Sequence, residues 1–350
     1  MAPIRILIVD DSVVARRVLT DILSEEDGFE VVGTAPNGLI AMAKIARLEP
    51  DLVTLDIDMP ELDGMATLAR IRAEHPEVEV VMVSNLTQRG ARVTVDALFL
   101  GAADYVTKAS QTASPELARR HLRDQLVPKI RALGLGREVV DRRTGRPASP
   151  VSAPARPRSV GVVAVGASTG GPNALAEVLG VLPAGFSAPV VVVQHMPKNF
   201  TSFLAQRLDG RCALAVREAE HRTRLAPGGI WIAPGDVHIK LRRDEQGVQI
   251  VTDDGPLVNS CRPSVDVLFR SVAECFQGAS LAVVLTGMGQ DGLEGCRAIA
   301  SAGGRIVVQD QASSVVWGMP GHVAAAGLAD AVLTPLEIGA EIVRRVGFRA

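Results

Sequence analysis

Residues 160–172 read VGVVAVGASTGGP, an apolar, β-branched run that stops in small and polar residues and then a proline. Such a run suits a strand buried on both faces, followed by a tight turn and the first turn of a helix, where proline is favoured. Two more segments of the same half end alike: APVVVVQHMP (188–197) and LAVVLTGMGQDG (281–292). Together they carry Ser168, His195 and Asp291 just beyond apolar runs. In an open parallel sheet the carboxyl ends of the strands converge on one crevice, and ligands bind there. A Ser, a His and an Asp at one such edge are the parts of an acyl-transfer triad, which is recognised by geometry rather than chain order.

The same alternation fills residues 1–109, with strands at IRILIVD (4–10), FEVVGTA (29–35), DLVTLD (51–56), VEVVMVS (78–84) and ADYVTK (103–108) separated by helical patterns. Strand–helix alternation gives a parallel sheet covered on both faces. ELARRHLRDQLVPKIRAL (116–133) reads as a closing helix rich in basic residues. From about Gly134 to Ser159 the chain turns to Pro, Arg, Ser and Ala, too poor in large apolar residues to offset its ordering entropy, so a linker is expected. Residues 160–350 form a second α/β domain, in which the shorter strands of 212–258 are expected to make an antiparallel extension. The expected division is 1–125, then a closing helix and flexible linker over 126–158, then 159–350.

With 350 residues the chain is long enough for two domains that each bury a core. It is 47% hydrophobic and 22% charged, and its net charge of −2 gives no basic field to draw it to nucleic acid or an anionic membrane. Cys212, Cys261, Cys275 and Cys296 are scattered without a C-x-x-C pair. That argues against a zinc site or a disulfide framework and suits reduced thiols of a cytoplasmic protein. The opening MAPIRILIVDDS lacks the basic-then-apolar layout of a secretory signal. No apolar run approaches the roughly 18 residues that span a bilayer, so a cytoplasmic protein without membrane insertion is expected.

In the front half, Asp10, Asp11, Asp56, Ser84 and Lys108 all fall at strand ends. Three carboxylates at one edge repel unless a cation sits among them, and hard oxygen ligands suit Mg²⁺. Lys108 offers a positive charge and Ser84 a hydroxyl to phosphoryl oxygens, while Asp56 is the natural nucleophile for an acyl-phosphate. With Asp56 inside LVTLDIDMPELDGM, and with Tyr105, these residues make the domain resemble the receiver of two-component response regulators. The resemblance implies that Asp56 accepts a phosphoryl group from a histidine kinase, with Mg²⁺ held at Asp10, Asp11, Asp56 and the main-chain carbonyl of Asp58. It also implies that Ser84, Tyr105 and Lys108 report phosphorylation. Ala109 follows Lys108 where receivers usually have proline.

In the rear half, Gly166 to Gly170 match the G-x-S-x-G pattern of a turn that exposes a serine, and the free N–H groups of the next helix favour an oxyanion. A dinucleotide loop also fits G-x-x-x-G-G after a strand, but it needs an acidic residue at the end of the next strand, where Gln194-His195 stands. His195 is the best base beside such a serine, with His238 and His322 as rivals. Asp291 would fix the imidazole tautomer, and the glycines around Met288 let its main-chain N–H point into the crevice.

The order Ser, His, Asp differs from that of α/β-hydrolases. GASTGGP, VVVVQHMP with NFTSFLAQRL, IWIAPGDVHI, CRPSVDVLF, LTGMGQDG and WGMPG instead make this half resemble the catalytic domain of chemotaxis protein-glutamate methylesterases. The resemblance implies two doubly wound parallel-sheet domains, a flavodoxin-like receiver and a Rossmann-like esterase. It implies hydrolysis of glutamyl γ-methyl esters on methyl-accepting chemoreceptors with release of methanol, and deamidation of receptor glutamines. It further implies an oxyanion site at the main-chain N–H groups of Thr169 and Met288, no cofactor in the catalytic domain, and an unphosphorylated receiver that blocks the crevice. A receiver joined to a DNA-binding module is disfavoured because the rear half is too long, too apolar and not basic enough. A scaffold with a vestigial triad is disfavoured by the presence of all three residues.

Overall fold

The computed structural model describes residues 2–85, 87–108, 114–140 and 160–347, and the chain divides into two compact units, Met1–Asp141 and Arg142–Ala350. In the first, strands β1 (Ile4–Val9), β2 (Phe29–Ala35), β3 (Leu52–Asp56), β4 (Glu79–Ser84) and β5 (Asp104–Thr107) alternate with helices α1 (Val13–Ser24), α2 (Gly38–Leu48), α3 (Gly64–Glu74) and α4 (Gln88–Phe99). The strands pair in the order β2-β1-β3-β4-β5, all parallel, the doubly wound order with its reversal between β1 and β3. Every residue of β3 is buried, as expected for a strand covered on both faces. Short polar side chains start the helices: Ser12, Asn37, Asp63 and Thr87 each accept a main-chain N–H of the first turn.

The closing helix α5 spans Pro115–Val140 and buries Leu126, Val127, Ile130 and Leu133. It is therefore longer than the 116–133 expected, and the first unit includes all of it, whereas the sequence reading ended the receiver at 125. Residues 134–140 are helix where a linker was expected, and Ala109 and the remainder of that linker lie outside the described residues.

The second unit is built on β6 (Val162–Ala167), β7 (Val190–Gln194), β8 (Ala215–Glu218), β9 (Gly229–Ile232), β12 (Ser280–Val284), β13 (Arg305–Gln309) and β14 (Ala331–Leu333). They pair in parallel in the order β14-β13-β12-β6-β7-β9-β8. β10 (His238–Asp244) and β11 (Gly247–Asp253) form a separate antiparallel hairpin. The expected antiparallel extension thus holds for β10 and β11 alone, because β8 and β9 join the main sheet in parallel beside β7. Alternate residues Val162, Ala164, Val191, Val193, Ala282 and Val284 share one core with Ile239 and Ile250 of the hairpin and with Val265, Leu268 and Phe269. The last three lie on helix α8 (Val265–Phe276). The remaining helices are α6 (Gly171–Gly180), α7 (Phe200–Asp209), α9 (Leu293–Ser301), α10 (Met319–Ala325) and α11 (Pro335–Val346). No helix among the described residues is long and apolar enough to cross a membrane.

Candidate active site

β12, β6 and β7 are successive strands, and the chain reverses direction across the sheet there, so their carboxyl ends frame the crevice of a doubly wound fold. Ser168 follows β6 in the centre, His195 follows β7, and Asp291 lies in the loop between β12 and α9. Ala167 and Gln194 are register partners, and the His195 N–H donates to the Ala167 carbonyl at 3.0 Å, so Ser168 and His195 occupy matching positions one step past the paired strands. The Gln194 side-chain amide donates to the Ser168 carbonyl at 2.8 Å and holds the turn. Ser168 takes no left-handed backbone; Gly170 does, with φ of +76°, just before α6 and Pro172. The tight turn therefore rests on a glycine, which adopts that conformation without steric cost. Ser168 is half-buried, and its Oγ has no hydrogen-bond partner among the described residues.

Asp291 is buried and its carboxylate accepts five hydrogen bonds. Oδ2 receives His195 Nε2–H at 2.8 Å and the Val265 N–H at 2.7 Å. Oδ1 receives Asn259 Nδ2 at 2.9 Å, Ser264 Oγ at 2.8 Å and the Asp266 N–H at 3.2 Å. Three of these donors sit at the start of α8, where free N–H groups and the helix dipole favour an anion. Gly166 lets that helix come so close: a Cβ there would lie 2.4 Å from Val265 Cγ1. Burial works against ionisation of Asp291, but the bonds from His195, Asn259 and Val265 outweigh it and hold the carboxyl down at about 2.

An ionised carboxylate only accepts, so His195 Nε2 carries a proton, and in the neutral ring it is Nδ1 that holds the lone pair. This is the reverse of the serine-protease arrangement, in which the carboxylate binds Nδ1–H. Cys261 Sγ lies 3.6 Å from that Nδ1. Burial disfavours the charged ring, whereas the Asp291 bond and the Cys261 sulfur favour it, and the balance raises its proton affinity well above that of an ordinary histidine.

The rival histidines are placed elsewhere. His238 is buried with both nitrogens occupied: Nδ1 accepts the Ser264 N–H at 3.1 Å and Nε2 donates to the Pro256 carbonyl at 2.9 Å. His322 is exposed on α10, with Nδ1 at 2.8 Å from the Gly318 carbonyl. The Met288 N–H has no hydrogen-bond partner among the described residues, and Thr169 is buried with its carbonyl accepting Thr286 Oγ1 at 2.9 Å. Asn259, Cys261 and Ser264 were missed as site residues, although all three precede α8 in the stretch NSCRPS.

The front unit gathers Asp10, Asp11 and Asp56 into one acidic cluster at the reversal between β1 and β3. Lys108 Nζ donates to Asp10 Oδ2 and to Asp56 Oδ1, both at 2.9 Å. Burial pushes the Asp56 carboxyl up to about 6 against the pull of Lys108. Three carboxylates facing one ammonium leave surplus negative charge on hard oxygen donors, a set that fits Mg²⁺. Asp58 is exposed and its carboxylate is not part of the cluster. Ser84 Oγ is buried and receives Thr94 Oγ1 at 2.7 Å, turned toward α4. Tyr105 is buried, with the Lys129 ammonium 5.0 Å from its ring centre.

The sequence pattern of the CheB methylesterase family matches residues 163–342, and that of the response regulator receiver domain matches residues 6–118. A protein-glutamate methylesterase/protein-glutamine glutaminase of Trichodesmium erythraeum is 51% identical over 99% of this chain and 100% of its own length. One of Nocardioides, with the same description, is 48% identical over 99% of this chain and 96% of its own. Among solved structures, the Thermotoga maritima CheB methylesterase catalytic domain is 41% identical with a TM-score of 0.52, covering 53% of this chain and 99% of that one.

Proposed function

The chain belongs to the CheB methylesterase family and carries a response regulator receiver domain ahead of the esterase, and on that basis we propose Ser168, His195 and Asp291 as its catalytic triad. Its activity is that of a protein-glutamate methylesterase and protein-glutamine glutaminase, a serine hydrolase switched on by phosphorylation. It hydrolyses glutamyl methyl esters on methyl-accepting chemotaxis receptors, releasing methanol, and deamidates receptor glutamines, which sets adaptation in a two-component system. The observation that carries the triad is the 2.8 Å His195–Asp291 bond at the strand end next to that of Ser168, whose Oγ has no hydrogen-bond partner among the described residues.

Ser168 Oγ attacks the γ-carbonyl and passes its proton to His195 Nδ1, while Asp291 steadies the imidazolium through Nε2–H. The main-chain N–H groups of Thr169 and Met288 hold the oxyanion; such donors are typically worth about 10²–10³ in turnover. The imidazolium then protonates the leaving group, which departs as methanol, or as ammonia when the substrate is glutamine. Water adds to the acyl-serine with His195 again as base, which frees the glutamate and restores Ser168. Labelling the full chain with a phosphonofluoridate and mapping the adduct by mass spectrometry tests this. Modification at Ser168, slowed about 10² or more by His195→Ala, is expected; labelling at another serine, or at an unchanged rate, would overturn it.

In the receiver, Asp56 is the phosphoacceptor, and Mg²⁺ is assigned to Asp10, Asp11, Asp56 and the Asp58 carbonyl. When bound, Mg²⁺ neutralises clustered carboxylate and phosphoryl charge. Lys108 shifts from Asp56 to a phosphoryl oxygen, Ser84 leaves Thr94 to donate to another, and Tyr105 reports the change. The partners are a chemotaxis histidine kinase and the cytoplasmic domains of chemoreceptors, which places the protein in the cytoplasm. The receiver reading of 1–125 takes in the first turns of α5, and the rest of that helix and the linker lead to the esterase at 159–350.

A further inference from the structure

Cys261 makes and breaks no bond in the hydrolysis, yet its sulfur faces the nitrogen whose lone pair the reaction needs. It precedes α8, and Sγ lies 3.6 Å from His195 Nδ1. A tetrahedral ion bound at about 2.3 Å to sulfur and about 2.0–2.1 Å to imidazole nitrogen holds those two donors about 3.6 Å apart. The other ring nitrogen already donates to a carboxylate, Asp291, which is how metal-binding histidines are fixed in tautomer and made more basic. Asp291 itself is filled by five donors and serves as that support rather than as a ligand. Cys261 and His195 are both only partly buried, so neither side chain is sealed from solvent.

We propose that Cys261 Sγ and His195 Nδ1 form an inhibitory site for a thiophilic divalent cation such as Zn²⁺. The inference rests on His195 acting as the base in the reading above. On binding, the Cys261 thiol and the protonated His195 Nδ1 each release a proton to solvent, and the sulfur and Nδ1 each give the freed lone pair to the ion. No group is oxidised or reduced. With Nδ1 occupied, the Ser168 proton has no acceptor, and hydrolysis stops while the ion stays. The two donors lie far apart in the chain, where cysteine spacing carries no signal.

The test titrates Co²⁺ into the metal-free, reduced full chain and reads sulfur-to-cobalt charge-transfer absorption in the near ultraviolet. The band is expected in the wild type and in Ser168→Ala, and is expected to be lost in Cys261→Ser, although Cys212 and Cys275 remain. In parallel, Zn²⁺ is titrated against methanol release, with each variant scaled to its own metal-free rate. Cys261→Ser is expected to need at least about tenfold more Zn²⁺ for half inhibition. A band that persists in Cys261→Ser, or is absent from the wild type, would overturn the site. A band in the wild type without loss of methanol release would overturn the inhibition, and the fault would then lie with His195 as base. Because Ser168→Ala is expected to be inactive yet to keep the band, failure of the esterase reading and failure of the metal site are read separately.

Discussion

His195 stands between a buried setting that disfavours its charge and two neighbours, Asp291 and Cys261, that favour it. Its folded proton affinity lies above the unfolded value, so the base is freed of its proton only at a higher pH than an ordinary histidine. The rise of kcat/KM with pH is therefore expected on a limb above the ordinary histidine range. Asp291→Asn should move that limb down and cut kcat by about 10⁴, as loss of a triad carboxylate does elsewhere. A limb near the ordinary value that ignores the substitution would contradict the assignment; a pH–rate profile decides. Stability follows the same groups. The His195 contribution is complete below the ordinary histidine value and is lost as pH rises through its higher folded value. That of Asp291 is complete above the ordinary carboxylate value and is lost as pH falls toward about 2. Urea midpoints of the wild type and Asp291→Asn across this acid range should converge as pH falls.

The start of α8 is the element that fixes Asp291 against His195, because it supplies three of the five donors to Asp291. Its approach depends on Gly166. Gly166→Ala should lower stability by about 1–3 kcal/mol through overpacking against Val265 and should reduce kcat as well, because Asp291 and its donors shift together. Urea unfolding and turnover on one preparation check both; lost stability with intact kcat would separate α8 from the site. The positions of Ser168, His195 and Asp291 at one sheet edge were legible in the sequence because each lies beyond a run of β-branched residues in a buried parallel strand. Their supporting residues were not. Asn259, Cys261 and Ser264 sit in an irregular stretch with no periodicity, and their meaning comes from a helix packed across the sheet. The parallel pairing of β8 and β9 was hidden for a related reason: each spans only four residues, and neighbouring hairpin strands made antiparallel pairing the simpler reading. The β10–β11 hairpin was legible from its polar turn around Gln246 and Gly247.

At the scale of the whole molecule, the receiver's phosphorylation is coupled to turnover in the esterase. Moving such a switch from 1:99 to 99:1 takes about 5.5 kcal/mol of differential interaction, and a partial shift takes less. Asp56→Asn should keep basal turnover and lose all stimulation by a phosphodonor, read as methanol released with and without the donor. A chain lacking residues 1–150 should turn over faster than the unphosphorylated full chain; equal or slower turnover by a folded fragment would mean that the receiver does not restrain the esterase. Both results depend on the central claim that this chain is a phosphorylation-activated esterase whose nucleophile is Ser168. The most direct test is methanol release from methylated receptor membranes, comparing the wild type with Ser168→Ala, each with and without a small-molecule phosphodonor and Mg²⁺. Release is expected to rise with phosphodonor in the wild type and to be absent in Ser168→Ala under both conditions. Release that persists in Ser168→Ala, or that the phosphodonor leaves unchanged in the wild type, would contradict that claim.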